Sequence, residues 1–280
     1  RPQEKESIVW EPAGDPSSTP VIHPPGQTDA LAFLPNGELM TLADRVEVWD
    51  IATGNRKAHL LSTTESNYFD ISADGRFAIT GKGSAHVQII EIATGAAVTI
   101  PHAQRQRVAA LSPNGTWAAT FGADGVVQFW ESKTGKALAA VPVHVSARDG
   151  GIPRVAISEQ KPVAAIAGST TLKVINLETG AMAGGETRQP QDLPLAVALS
   201  KSGDQVAIVN RPGLILVYDV RSGQRSAPAM MDGSFLTKVT FSADGRKLLS
   251  GANDAARLWD IRTGRPSSLP LIEERLTATA

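Results

Sequence analysis

Five histidines, His23, His59, His86, His102 and His144, are the first residues to weigh for chemistry. None lies two or four residues from another, the spacing by which one strand or helix offers two ligands to zinc, so no metal site is expected. His102, Thr120 and Asp124 supply the residue types of a hydroxyl–histidine–carboxylate triad. Such a triad needs an exposed nucleophile on a strained turn beside an oxyanion hole. Thr120 instead sits in the middle of Ala-Ala-Thr-Phe-Gly at 118–122, with no elbow around it. Gly81-Lys82-Gly83-Ser84 has the composition of a phosphate loop but lacks its full spacing and a following helix, so it reads as a widened turn. No catalytic residue and no cofactor is expected.

Composition narrows the partners. The net charge is −1, which argues against bulk electrostatic capture of nucleic acid or an anionic membrane. The aromatic residues fall mostly within strand-like runs rather than on basic stacking platforms. No apolar run approaches the ~20 residues of a membrane-spanning helix. Cysteine is absent, which excludes disulfides and thiolate chemistry but leaves the compartment open, with the cytoplasm favoured.

The elements that carry these residues repeat. The stretch 238–264, KVTFSADGRKLLSGANDAARLWDIRTG, holds three strands and three turns and leaves no room for a helix. Its closing glycine recurs as Gly54, Gly95, Gly135, Gly180, Gly223 and Gly264, in steps of 41, 40, 45, 43 and 41 residues. Its first turn recurs at 34–37, 72–75, 112–115 and 201–203, while the fourth repeat has Ser158-Glu159-Gln160-Lys161 instead. Its third strand recurs at 46–50, 87–91, 127–131, 172–176 and 214–219. A period of about 40–45 residues made of short strands is the signature of propeller blades.

The Ser-Pro-Asn-Gly turn, the Trp-Asp ending of the third strand and the Thr-Gly after it together resemble the WD-repeat (WD40-like) β-propeller family, with degenerate repeats. Only Trp49-Asp50 and Trp259-Asp260 keep the literal pair; Trp130-Glu131 and Tyr218-Asp219 come near it. The resemblance implies an all-β propeller of four-stranded antiparallel blades, six complete over 24–63, 64–103, 104–145, 146–187, 188–232 and 233–272. A composite terminal blade makes seven, its last two strands read at 7–23 and 275–280 as the start of another strand; a six-bladed ring with frayed ends is the alternative. A chain that opens on Arg1 rather than Met is expected to be one domain, 1–280, of a longer protein.

The resemblance also implies a buried network in each intact blade, made by a His before the first strand, a hydroxyl in the second, an Asp in the next turn and the Trp of the third. Blade three matches with His102, Thr120, Asp124 and Trp130, and blade one with His23, Thr41, Asp44 and Trp49. Blade six offers Ser250, Asp254 and Trp259, with Met231-Asp232-Gly233 where the His should be.

Families of this kind serve as protein-interaction platforms, so a non-catalytic scaffold binding a protein or peptide is the leading expectation. The competing one is a hydrolase or quinoprotein-type dehydrogenase with a site in a central channel. The innermost strands, such as Arg-Val-Ala-Ile-Ser at 154–158, are almost wholly apolar or small and favour a plain channel. The turns at one end of the blades are nearly uniform, whereas the entry loops and second turns at the other end vary. Those variable segments carry Lys82, Arg105, Arg107, Arg148, Arg154, Arg188 and Arg211, a set suited to gripping an acidic segment through forked guanidinium–carboxylate pairs. A monomeric module is expected.

Overall fold

Alternating apolar residues between glycine turns fold into a succession of antiparallel sheets. A computed structural model describes residues 7–8, 21–22, 30–34, 36–42, 45–62, 69–80, 86–101, 106–145, 152–169, 171–185, 187–188, 194–211, 213–232, 236, 238–251, 255–267 and 271–272. The chain divides into two compact units, 1–142 and 143–280.

The first unit holds three four-stranded blades in simple strand order. Blade one is Ala30–Phe33, Leu39–Leu42, Arg45–Trp49 and Arg56–Ser62. Blade two is Phe69–Ile71, Phe77–Thr80, His86–Glu91 and Ala97–Pro101, and blade three Gln106–Leu111, Trp117–Gly122, Val126–Glu131 and Ala137–Pro142. Ser7–Ile8 pairs with Val21–Ile22 as a separate two-stranded sheet. The second unit holds blade four (Arg154–Ile157, Val163–Ala167, Thr171–Asn176, Thr187–Arg188) and blade five (Pro194–Leu199, Gln205–Asn210, Leu214–Asp219, Met230–Met231). Blade six follows with Lys238–Phe241, Lys247–Gly251 and Ala255–Asp260, and its outer edge is built from two pieces, Arg265–Pro266 and Leu271–Ile272. The fold is thus all-β with six blades. A complete seventh is not present among the described residues, and 275–280 lie outside them.

Two kinds of turn recur at one end of the blades. In the first, a serine hydroxyl accepts the N–H five residues on, as Ser72 does from Phe77 (3.0 Å) and Ser112 from Trp117 (2.9 Å). The same hydroxyl donates to the residue two places on, Asp74 or Asn114. The glycine here has a double reason. Gly115 has φ of 66°, and a Cβ on it would lie 2.4 Å from Phe77 of the preceding blade. Blade four makes its hairpin without that glycine. Ser158 turns its hydroxyl to the Lys201 carbonyl of blade five (3.1 Å), and Gln160 N donates to the same oxygen (3.2 Å).

In the second kind, the acid or amide that ends the third strand caps the next turn. Asp50, Asn176, Asp219 and Asp260 each accept the backbone N–H three residues later, at 2.8–3.0 Å. The Ser222 and Thr263 hydroxyls hold the Asp219 and Asp260 carboxyls below their usual range. Hydrogen bonds to the charged form cause that shift, so the turn contribution is present at neutral pH and lost as pH falls through the depressed folded value. The unfolding midpoint should therefore fall on acidification below about pH 4. Asp219→Asn/Asp260→Asn should flatten that decline in a thermal melt series, and an equal decline in the variant would contradict the capping role.

Packing between blades supplies the core. Phe77, Ile79, Val87 and Ile89 of blade two bury against Leu111, Ala118 and Trp130 of blade three. Val163, Ala165, Ala167 and Val174 of blade four meet Val206, Ile208 and Tyr218 of blade five. Ala207, Val209 and Val217 of blade five meet Val239, Leu248 and Trp259 of blade six. The residue at the centre of the second strand that faces the following blade is sealed in blades one, two, four and five: Met40, Ile79, Ala165 and Ala207 are 0% exposed. Its counterpart in blade six, Leu249, is 38% exposed. Ile79→Ala should then cost about 2–5 kcal/mol, whereas Leu249→Ala should cost less than about 1 kcal/mol. Equal losses in denaturant titrations would mean that the blade-six face is covered.

Candidate functional site

The polar groups of the interior collect around the tryptophans. In an antiparallel sheet the residue two before a given position on one strand and its partner across the ladder share a face, so the second-strand hydroxyl reaches the third-strand indole. Trp49 Nε1 donates to Thr41 Oγ1 (2.8 Å), Trp130 Nε1 to Thr120 Oγ1 (2.9 Å) and Trp259 Nε1 to Ser250 Oγ (2.9 Å). All six residues are buried. In blades four and five the indole position holds Ile175 and Tyr218, and the hydroxyl position holds Ile166 and Ile208. Hydroxyl and indole are thus both absent from those blades, whereas blade two keeps the buried hydroxyl of Thr80 with Ile90 in the indole position.

The proposed networks hold only in part. Thr120 and Trp130 are joined, but Asp124 is exposed in the turn beyond them, where its carboxylate accepts Val126 N (3.2 Å). It is not a member of the buried group, because a turn aspartate gains more by capping its own loop than by desolvation. His102, His23, Asp44 and Asp254 lie outside the described residues.

Blade six departs from the expected set in another way. Ser250 donates to Asp232 Oδ2 at 2.7 Å, so the aspartate takes the place expected for histidine. Its charge is met by Arg257, whose Nη1 stands 3.7 Å from Oδ1 and whose guanidinium lies over the Trp259 ring at 5.5 Å. A buried carboxylate needs such a partner. The signal was in the sequence: Arg257 sits two residues before the Trp, a column held by Gln128 in blade three and Glu47 in blade one. Gln128 spends its amide on the Phe129, Leu138 and Ala139 carbonyls, and Glu47 is paired with Arg56 at 2.8 Å.

The cationic set at the entry ends is placed unevenly. Arg154 opens the first strand of blade four and is half-buried, and Arg211 is exposed in the second turn of blade five. Arg107 and Arg188 lie in strands of blades three and four, while Lys82, Arg105 and Arg148 lie outside the described residues. Among the described residues no group of three or more His, Asp or Glu could hold a metal ion, and no helix is long and apolar enough to cross a membrane.

The indole–hydroxyl pair can be tested by a cycle. Thr120→Val strands the Trp130 N–H and should cost about 1–3 kcal/mol, but under about 0.5 kcal/mol in a Trp130→Phe background, measured by denaturant unfolding. Equal costs in both backgrounds would remove the pair from the stability of the blade.

Comparison with known families matches the WD domain, G-beta repeat model to residues 97–131 and 230–260. A comparison with curated proteins found no match. Each matched stretch starts in the outer strand of one blade and ends at the acid closing the third strand of the next, and each contains a bonded indole and hydroxyl. Blade one keeps that pair but has a first turn one residue shorter, with Leu34 N bonded to Glu38 O. Two matched repeats, six blades of one strand order and the recurring capped turns support a WD-repeat β-propeller.

Proposed function

We propose that the chain is a non-catalytic scaffold that binds a protein or peptide segment at the entry ends of its blades. WD-repeat propellers generally mediate protein–protein interaction, and one observation carries the choice of end. The opposite end is built largely from two capped turns, the first formed by a serine in blades two, three, five and six and the second by the acid or amide that ends the third strand, with acids and hydroxyls engaged in holding the turn. Variation between blades falls at the entry ends, and loops on a rigid scaffold are where binding residues gather. The partner segment is acidic, gripped by Arg105, Arg107, Arg148, Arg154, Arg188, Arg211 and Lys82, with forked hydrogen bonds from the arginines. The terminal pair of short strands belongs to a seventh, composite blade.

An array of short synthetic peptides rich in Asp, Glu, Asn and Gln tests the reading. Replacing Arg105, Arg107 and Arg148 together by Glu should abolish binding to the acidic members, with circular dichroism and unfolding midpoint unchanged. Binding that survives the triple change, or that is lost instead on reversing Lys133 and Arg262 in the turns of the opposite end, would overturn it.

A further inference from the structure

The layer between blades four and five is apolar except at its entry end. Arg154 pairs across the ladder with Ala167, so it shares the face of blade four that meets blade five. Asn210 pairs with Leu214, which packs in the same layer, so its side chain faces blade four. Both residues sit where their strands meet the entry end, Arg154 at the start of a first strand and Asn210 at the end of a second. Asn210 is wholly buried, yet neither its Oδ1 nor its Nδ2 has a hydrogen-bond partner, and buried Arg154 Nε has none either. The positions matching Asn210 in blades three and four are Gly122 and Gly168, so the fold does not need an amide there. Polar groups left unpaired in an interior lower stability, and each one in a native protein calls for a reason.

The three atoms define a complement. Two N–H donors, Arg154 Nε and Asn210 Nδ2, call for an acceptor, and Asn210 Oδ1 calls for a donor. A carboxylate satisfies the first two and sets its oxygens against Oδ1. An amide satisfies all three. We propose that this end of the layer anchors a bound segment through one amide group, either a main-chain peptide unit or an Asn or Gln side chain. Its carbonyl accepts from Arg154 and Asn210, and its N–H donates to Asn210 Oδ1. Arg154, only half-buried, is the side that opens to admit it. The inference rests on peptide binding at the entry ends and adds a neutral anchor to the charged contacts.

Asn210→Leu and Arg154→Met, set beside the Arg105/Arg107/Arg148 triple variant on the same peptide array, separate the two readings. Asn210→Leu fills the site with a side chain of similar shape. Without peptide it should raise the unfolding midpoint by about 2–4 °C. Both single variants should weaken peptide binding by about 10-fold or more. Undiminished binding by Asn210→Leu and Arg154→Met, with loss in the triple variant, would overturn the anchor and leave the charged face standing. Binding unchanged by every variant would overturn the face itself. A lowered midpoint for Asn210→Leu would show that a trapped water already completes Asn210, and would also overturn the anchor.

Discussion

The second strands of blades two to five are buried on both faces, and that constraint governs what the rest of the sequence can be. Residues 77–80 and 163–167 are buried without a break, and 117–122 and 205–210 almost so. A strand sealed on both sides loses the polar–apolar alternation of a half-exposed sheet. A polar atom on such a strand is stable where a neighbouring strand supplies the partner. Thr41, Thr120 and Ser250 meet that condition through an indole N–H, and Ile166 and Ile208 avoid it by having nothing to pair. In blades four and five both positions have changed, whereas blade two keeps Thr80 in the hydroxyl position with Ile90 in the indole position.

Stacking of neighbouring blades adds a second limit, which the turns express. Gly203 of blade five has φ of 72°, and a Cβ on it would stand 2.8 Å from Val163 Cγ2 and 3.0 Å from the Ser158 hydroxyl of blade four. The turn must be left-handed for its own blade and bare for its neighbour, so one residue type serves both. Beside it, Lys161 is paired with Asp204 and Lys201 with Glu159 at 2.8 Å, exchanging charge in both directions across the same two blades. These exposed pairs add little stability singly. The apolar layer behind them does most of the holding.

Period and turns were legible in the sequence because they depend on local chemistry. A serine that accepts a backbone N–H five residues on, and a glycine with positive φ, leave a pattern within a few residues. The strand order and the six blade boundaries followed from that pattern. What lay beyond reach depended on contacts across the fold. Asp124 matched a motif position, yet its own turn claims its carboxylate. Asp232 looked like a missing histidine until its bond to Ser250 and its pairing with Arg257 were seen together. The exposure of Leu249 was equally hidden, since its sequence neighbours are those of any covered strand.

Asn210 belongs with these, but its meaning differs. Arg257 and Asp232 show how this fold treats a polar residue that must be buried: the charge is met within its own blade, by an ion pair and a ring face. Glu47 is treated likewise by Arg56, and Gln128 by three carbonyls. Asn210 differs in degree: neither polar atom of its side chain is bonded, whereas Glu47 and Arg257 each keep a partner and leave only Oε2 and Nε unpaired. Strands sealed on both sides are otherwise consistent from local pattern to packing, and a break in that consistency is where function is expected to sit. Asn210 lies at the entry end of blade five, the end at which the loops differ.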